Sequence, residues 1–459
     1  MAVVGNTNHR SKNDADPSVF DFANHSHPDI NASASRARPA MIVPLLCIMI
    51  GTDSLGWDPA ELVPVAVPEP TALAIQYDRS GVVLWFVVQA WNLLVPAAIL
   101  FSGLSARLRD VARRVGRGWF GTIAVYAMLY LGLTYVVNFP LDFALGYLRR
   151  HAYGLSHQSF PRWFGDGLKS LGVTAVGAVL FVWIPYLLLA KAPRRWWLIV
   201  GGLMLPFALF GATIKPVWID PLFNNFGPMQ DRALEAKILA LADRAGIEAG
   251  RVTQVDKSRD TKTLNAYVTG FLGTKRIVLW DTLLGRLDDR EVLAIMGHEM
   301  GHYVLNHVAW GVGLATIGSV FLLWLVDQTG RATLRRFGPR FGFDRLDDIA
   351  SVPLLVLLLS LFNLAGAPIQ LGVSRAMEHE ADRFSLEITR SNHSAARAFA
   401  EIQRENLSNP RPGWLSVLWR SSHPPIGERI DFCNAYHPWT EGRTGVYDSR
   451  FAPVRAVPP

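Results

Sequence analysis

The amino-acid sequence predicts a mainly α-helical integral membrane protein, in which about six to seven transmembrane helices enclose or flank a polar domain with a small β-hairpin. Two compositional features indicate this class. Half of the 459 residues are hydrophobic and only 18% are charged, whereas soluble domains contain about 25% charged residues. The mean hydropathy is +0.20. The third observation is a set of six apolar runs, separated by polar segments.

These six runs are the predicted transmembrane helices, because a helix needs about 20 apolar residues to cross the hydrocarbon core. They contain no Lys, Arg, Asp or Glu. A soluble protein could bury one such run in its core, but six in one chain predict membrane insertion. The runs are residues 82–104, 119–140, 171–190, 196–214, 308–326 and 352–373.

The segments before the first run differ in composition. Residues 1–40 are polar without apolar periodicity, which predicts a disordered tail. Residues 41–50 are apolar but only about half as long as a spanning helix, so they form either the core of a signal sequence or a short first helix. An acidic, proline-punctuated loop completes the segment 41–80.

The rest of the chain divides into three predicted parts: an N-terminal transmembrane domain 81–215, a domain 216–435 that includes the last two transmembrane helices, and a C-terminal tail 436–459. Within the second domain, residues 232–245 have helical spacing. Residues 266–270 and 276–280 predict two strands of a hairpin. Asp288 and Asp289 can cap a further helix.

That further helix carries the sequence HExxH, with histidines at positions 298 and 302. Residues four apart lie on one face of a helix, so His298 and His302 can reach the same metal ion. Imidazole nitrogens suit zinc. Glu299 follows the first histidine, where its carboxylate can take a proton from a water that the metal activates. The alternative is a chance match on an ordinary helix.

A catalytic zinc ion with two histidines needs a third protein ligand. Glu378 and Asp382 are four residues apart, so one carboxylate can bind the metal while the other supports a ligand histidine. His379 and Glu380 are rivals by residue type, but they point elsewhere on the helix if Glu378 faces the metal. The alternative to a metal-binding role is that these residues form a charged, solvated helix end that follows a membrane span.

Five segments, in this order, resemble the type I CAAX prenyl endopeptidases and their bacterial HtpX-like relatives, and the resemblance covers residues 80–435. The segments are DPLFNNF from Asp220, NAYVTG from Asn265, KRIVLWDTLL from Lys275, the pair Glu378 and Asp382, and SHPP from Ser422 with Arg429. One departure from the family pattern is His379, where an aromatic residue is expected.

The resemblance implies a gluzincin-type zinc protease with Glu378 as third ligand and Asp382 supporting the site. It also implies that Asn265, His423 and Arg429 contact the peptide or stabilise the oxyanion. Taken without the family, Asn265 could cap a turn and His423 could end a loop.

The positive charges predict the orientation of the chain. The net charge is +7, but much of the arginine lies in short segments between apolar runs rather than on one polar surface, which excludes nucleic acid as a partner. The loops that follow the first, third and fifth runs are rich in Arg and Lys, and the positive-inside rule assigns these three arginine-rich segments to the cytoplasm. The metal site then faces the non-cytoplasmic side. Arg149, Arg150, Arg162 and Lys169 oppose this orientation, and so does the cytosolic site that the CAAX resemblance implies.

We therefore predict a zinc metalloendopeptidase with one Zn²⁺ per chain, built as a multi-pass protein into a bacterial-type cell membrane. Its predicted substrates are membrane-associated or lipidated, CAAX-like peptides. A quality-control protease for membrane or exported proteins is the alternative enzyme. A catalytically inactive transporter or metal-binding scaffold is the alternative from another class, but it predicts ionisable residues within the spans, and the six runs contain none.

Overall fold

The computed structural model describes residues 57–247, 251–269 and 276–451. The predicted tail, the short apolar segment 41–50 and the turn of the predicted hairpin lie outside these ranges. Six helical segments in the described part are long and apolar enough to cross a membrane, and each coincides with one of the predicted runs, which confirms the fold class. The segments are Ala72–Phe101, Gly118–Ala152, Phe160–Lys191, Trp196–Leu222, His307–Phe341 and Ile349–Thr389.

The first four spans contain six α-helices, and a further helix, α2 (Leu104–Val115), lies between the first and second spans. The helices are α1 (Ala72–Phe101), α2 (Leu104–Val115), α3 (Gly118–Asp142), α4 (Arg150–Ala152), α5 (Phe160–Phe181), α6 (Trp183–Lys191) and α7 (Trp196–Ile214). A π-helical stretch, Phe143–Arg149, joins α3 to α4.

Helix α2 corrects one sequence-based expectation, because the arginine-rich segment after the first run was predicted to be a loop. Gly103, with a φ of 70°, turns the chain into the helix. Ser105, Ala106 and Ala112 are buried on its inner face, while Arg107, Arg113 and Arg114 lie outside that face. An amphipathic helix of this kind lies at the edge of the membrane rather than across it.

The last two spans begin or end inside the polar domain. They are α11 (His307–Phe341) and α12 (Val352–Thr389). Helix α12 continues without a break beyond the apolar run that ends at residue 373, so one rigid rod carries Glu378 and Asp382 from the membrane into the polar domain.

The polar domain adds short helices and one sheet. The helices are α8 (Arg232–Arg244), α9 (Asp281–Leu284), α10 (Asp289–Val304), α13 (Asn392–Glu405), α14 (Trp414–Trp419) and α15 (Ile426–Ala435). The strands are β1 (Phe226–Pro228), β2 (Arg251–Val255), β3 (Ala266–Thr269) and β4 (Arg276–Trp280).

The sheet is larger than the predicted hairpin. Strands β3 and β4 pair antiparallel as expected, but β2 also pairs with β4 in parallel and β1 pairs with β2, giving the order β1-β2-β4-β3. Strand β1 has only three residues and ends at Pro228, so it carries no alternating pattern by which a strand is recognised. Strand β3 lies at an edge of this sheet.

Two terminal segments pack on the polar domain. In the segment before α1, the buried Glu61 accepts hydrogen bonds from the backbone N–H and hydroxyl of Ser394 at 2.9 and 2.7 Å. Residues 436–451, predicted as part of a tail, bring Tyr447 and Phe451 into the core of the domain. Asn434 exchanges two hydrogen bonds with the backbone of Val65, which ties the first segment to α15.

Candidate metal centre

Helix α10 begins at a reciprocal cap. The Asp288 carboxylate accepts from the Glu291 N–H at 3.0 Å, and the Glu291 carboxylate accepts from the Asp288 N–H at 2.9 Å. Two of the otherwise unpaired N–H groups at the helix start are satisfied in this way. The helix then runs to Val304, so His298 and His302 lie on one face, one turn apart, as the sequence predicted.

Two glycines let α10 approach α12 closely. A Cβ atom on Gly297 would meet the Ser385 Cα at 3.3 Å. One on Gly301 would meet the Phe384 Cβ at 3.1 Å and the Ala381 Cα at 3.2 Å. Contacts this short leave no space for a side chain on that face of α10. The two helix backbones can therefore lie near each other, which brings Glu378 within reach of the histidines.

The ligand-type atoms of His298, His302 and Glu378 form a small triangle. The two imidazole Nε2 atoms are 3.2 Å apart. The Glu378 carboxylate lies 3.3 Å from the Nε2 of His298 and 3.4 Å from the Nε2 of His302. Among the described residues, these three are the group of His, Cys, Asp and Glu side chains whose geometry could hold a metal ion.

This triangle fits zinc. Atoms bound to a tetrahedral zinc ion at about 2.0–2.1 Å lie roughly 3.3–3.4 Å from one another. The buried Glu378 Oε2 has no hydrogen-bond donor in the described structure, although buried carboxylate oxygens are normally satisfied. Two imidazole nitrogens that both point lone pairs at the same space repel each other unless a proton or a cation lies between them. Two histidine nitrogens and one glutamate oxygen are one of the ligand sets found in catalytic zinc sites.

Asp382 supports His298 from behind. The Nδ1 of His298 is 2.8 Å from the Asp382 carboxylate, which assigns the proton to Nδ1 and leaves the Nε2 lone pair for a metal. Burial lowers the pKa of His298, but the neighbouring Asp382 and Glu378 carboxylates outweigh burial and raise the pKa to about 9. The two carboxylates therefore favour positive charge at this site.

Arg429 lines the edge of the cavity described below, and its guanidinium lies against Asp382. Its guanidinium donates to both Asp382 oxygens, at 2.8 and 2.5 Å, and stacks over the Phe399 ring at 4.1 Å. Only 10% of its side chain is exposed. The sequence linked Arg429 with peptide contact or the oxyanion, whereas this geometry ties it to the carboxylate that supports His298.

A cavity of about 570 Å³ opens beside His298. Glu299 lies on its wall, and burial raises the pKa of the Glu299 carboxyl above its ordinary value, while the two neighbouring histidines and a backbone hydrogen bond from Val268 act against this. A carboxylate with a raised pKa is suited to accept and return a proton.

Asn265 and His423 line the same cavity. The His423 Nε2 is 3.3 Å from Glu378 Oε2, and its Nδ1 lies 2.8 Å from the Ser422 hydroxyl. Asn265 is exposed just before β3. The structure thus brings seven of the eight predicted site residues to the cavity or the metal ligands, with Asp382 behind His298.

His307 neighbours a ligand but was not predicted from the sequence, and Glu380 was considered only as a rival of Glu378. The His307 ring lies beside His302, and its other nitrogen is 3.2 Å from the Glu380 carboxylate. A signal was available, because His307 follows HExxH by five residues. Glu380, which sequence reasoning placed away from the metal, lies on the far side of His307 with 51% of its side chain exposed.

The chain matches the model of peptidase family M48 over residues 228–436. A *Bacillus subtilis* protein named "uncharacterized metalloprotease YhfN" is 37% identical to it over 374 residues, which cover 81% of this chain and 87% of that protein. The chain belongs to peptidase family M48. Residues 58–225 match a second model, described as "CAAX prenyl protease N-terminal, five membrane helices".

Two further comparisons extend the family assignment. CAAX prenyl protease 1 of *Saccharomyces cerevisiae* is 27% identical over 320 residues, which cover 66% of this chain and 70% of that protein. The crystal structure of *S. mikatae* Ste24p has the same fold, with a TM-score of 0.68 and 23% identity over 78% of this chain and 87% of that one. The predicted family is thus confirmed.

Membership in family M48 makes this chain a membrane metalloendopeptidase, as the sequence predicted. The alternative of an inactive transporter or scaffold is set aside. The six helices make this M48 peptidase a multi-pass integral membrane protein.

Proposed function

We propose that this M48 peptidase is a zinc enzyme that cleaves peptide bonds in membrane-associated or lipidated, CAAX-like peptides. One zinc ion per chain is held by His298, His302 and Glu378. The observation that carries the proposal is the triangle of two Nε2 atoms and one carboxylate, with separations of 3.2–3.4 Å. When bound, zinc supplies Lewis-acid polarisation of the scissile carbonyl and makes a water more acidic.

Glu299 acts as the general base. It is the carboxylate beside the ligands that lines the cavity. It takes the proton from the attacking water and later delivers a proton to the leaving amine. The raised pKa of its carboxyl supports both directions of transfer.

The remaining predicted residues divide into two groups. His423 and Asn265 line the cavity and carry N–H groups that can donate to the oxygen that becomes negatively charged. Asp382 orients His298, and Arg429 holds Asp382 by a two-point contact. In this proposal Arg429 does not contact the substrate; it holds Asp382, which orients the zinc ligand His298.

The substrate peptide lies along strand β3. This strand is at the edge of the sheet, and Asn265 and Ala266 line the cavity next to Glu299. An extended peptide that adds to a sheet edge obtains main-chain hydrogen bonds that are independent of its sequence. Successive side chains of such an extended peptide point to opposite faces of the sheet, so the cavity can select those that point into it.

The position of the site supports a substrate attached to the membrane. Glu378 lies five residues beyond the last apolar run, which ends at residue 373, and five helical residues span only about 7–8 Å. A peptide carried by a lipid anchor would be presented at this depth. The names of two relatives support this substrate class: CAAX prenyl protease 1 in yeast and a CAAX prenyl protease 1 homolog in Dictyostelium discoideum.

The proposed orientation follows the positive-inside rule, with the arginine-rich ends of the spans in the cytoplasm and the metal site on the other side. Some of the opposing cations have partners in the folded protein. Arg162 pairs with Asp260 at 2.5 Å, Lys169 pairs with Asp166 at 3.0 Å, and Arg149 donates to the Tyr77 carbonyl. The arginine-rich segments are paired in the same way, for example Arg109 with Asp348, so the proposal depends on the distribution of charge along the sequence.

The substrate class can be tested with the full chain purified in detergent and loaded with zinc. Two peptides of one sequence ending in Cys-aliphatic-aliphatic-X are compared, one farnesylated at the cysteine and one not, and products are identified by mass spectrometry. We expect the farnesylated peptide to be cleaved with a higher kcat/KM than the unmodified one, and we expect Glu299→Gln to cleave neither. Equal cleavage of both peptides, together with cleavage of unfolded membrane proteins, would favour the quality-control protease instead.

A further inference from the structure

His307 is the first residue of α11 and one of the few buried charged or polar side chains near the site, with 6% of its surface exposed. Its Nδ1 lies 3.0 Å from the Nδ1 of His302. Its Nε2 lies 3.2 Å from the Glu380 carboxylate. The three side chains therefore form a chain that begins at the back of a metal ligand and ends at the surface.

The protons in this chain can be placed in only one way if His302 binds metal through Nε2. The lone pair must then be on the Nε2 of His302, so its proton is on Nδ1 and is donated to His307. The Nδ1 of His307 must accept that bond, which leaves the His307 proton on Nε2. That proton points at Glu380, a carboxylate, which can only accept.

The backbone is arranged to bring His307 back to the ligand. Asn306 adopts a left-handed conformation with a φ of 58°, a region that Asn tolerates better than most residues. This turn ends α10 and starts α11 one residue later. As a result the His302 and His307 ring centroids are 5.1 Å apart although the residues belong to different helices.

We propose that His307, held by Glu380, is a positioning residue that fixes the tautomer and ring orientation of His302. The arrangement matches that of the other ligand, where Asp382, held by Arg429, fixes His298. Each ligand histidine thus has its own supporting pair, one ending in a buried arginine and one in a half-exposed glutamate. The inference rests on the proposed zinc site, and it assigns no contact with substrate to either residue.

The test compares two substitutions of nearly equal size. His307→Asn keeps an oxygen near the position of Nδ1 that can accept the His302 proton, whereas His307→Leu has no acceptor. Zinc dissociation constants are measured on the full chain in detergent by competition with a chromophoric chelator. Loss of a partner to a metal-bound histidine typically weakens affinity about 10–100-fold, so we expect that loss for His307→Leu and a loss of less than about tenfold for His307→Asn.

A second measurement separates positioning from folding. Co²⁺ replaces zinc, and its visible absorption reports ligand geometry. We expect His307→Leu to change the Co²⁺ spectrum while the helical circular dichroism of the metal-free protein stays that of the wild type. Equal zinc affinity in wild type and both variants would overturn the inference, and so would equal weakening in both variants. A wild-type chain that binds no zinc would instead contradict the proposed function.

Discussion

Glu299 and Glu378 face the same small space from two helices, but their surroundings give them different chemistry. Glu378 lies within 3.3–3.4 Å of both Nε2 atoms, where a carboxylate can serve as a ligand. Glu299 lines the open cavity, and burial raises the pKa of its carboxyl. Both residues are glutamates, so it is the distance to the histidine Nε2 atoms that distinguishes the ligand, Glu378, from the base, Glu299.

The base assignment predicts the behaviour of Glu299→Gln. The amide cannot accept the water proton, but it leaves the three ligands in place. We expect bound zinc to remain stoichiometric and turnover to fall about 100-fold or more, because general bases contribute roughly 10²–10⁴-fold. Zinc content by mass spectrometry and peptide turnover should be measured on one sample. Activity above about a tenth of wild type would contradict the base role.

The ligand assignment predicts a difference between two neighbouring carboxylates. Glu378→Ala removes the oxygen that faces both Nε2 atoms, so its zinc affinity should fall by more than the roughly 10–100-fold typical of a supporting residue. Glu380→Ala should lose much less zinc affinity than Glu378→Ala, because Glu380 contacts His307, which supports His302, and is not itself placed as a ligand. Asp382→Asn should lose about 10–100-fold.

Zinc affinity is measured by chelator competition for Glu378→Ala, Glu380→Ala and Asp382→Asn, all in the same detergent and at the same pH. Equal loss in Glu378→Ala and Glu380→Ala would contradict the assignment of Glu378, as would a loss confined to Glu380→Ala.

Some residues of the site could be predicted from the sequence because they lie close together along the chain, on one face of the same helix. His298 and His302 share a helical face by spacing alone, and Glu378 and Asp382 do so on another helix. Spacing marked His307 only as a histidine near HExxH, and its role did not follow from spacing because its contact with His302 depends on a left-handed turn at Asn306. Arg429 was assigned by resemblance, and only its two bonds to Asp382 distinguish a supporting role from substrate contact.

At the scale of helices, the site depends on how closely α10 packs against α12. Gly301 contributes no side chain at the contact with Phe384 and Ala381. The same face of α10 contains Gly297, where the neighbour is Ser385. Since the zinc ligands come from both helices, any increase in their separation moves Glu378 away from the histidines.

This packing predicts the effect of a side chain at Gly301. Gly301→Leu should push the helices apart, destabilise the fold by about 1–3 kcal/mol as overpacked sites do, and lower zinc affinity. Gly311→Leu is the matched control, because a Cβ there would meet no atom within 4 Å. Thermal unfolding of the metal-free variants and zinc affinity are the two measurements. Wild-type affinity in Gly301→Leu would show that the close approach is dispensable.

The elements predicted well were those with long periodic patterns. Helix α10 was predicted from Asp288 onward, and its cap is the one that the sequence indicated. The predicted sheet was incomplete because β1 has only three residues, too few to show an alternating pattern. The parallel pairing of β2 with β4 depends on the chain between them, which no local pattern reports.

For the whole molecule, six spans place both ends of the described chain, and the metal site, on the same side of the membrane. The spans connect on the opposite side through residues 102–117, 192–195 and 342–348, between consecutive helices. Those connections, with the helix ends next to them, contain the three arginine-rich segments on which the orientation was predicted. The count of spans follows from hydropathy, whereas the side does not.

Topology can be tested with single cysteines in a chain lacking Cys47 and Cys433. On the site side, Ala236 and Gly413 are exposed. On the arginine-rich side, Val115 is 65% exposed and Pro193 is also exposed. Gly116 is unsuitable, because a Cβ there would lie 2.5 Å from the Gly121 backbone. A membrane-impermeant maleimide is applied to intact cells and, separately, to opened membranes.

Because short cationic segments dominate orientation, we expect Ala236→Cys and Gly413→Cys to be labelled in intact cells, and Val115→Cys and Pro193→Cys only after the membrane is opened. Each variant must retain zinc, which shows that it is folded. The reverse labelling pattern would place the metal site in the cytoplasm. It would then follow that the cations at Arg149, Arg150, Arg162 and Lys169 act on insertion before their partners in the folded protein neutralise them, since orientation is set while the chain enters the bilayer.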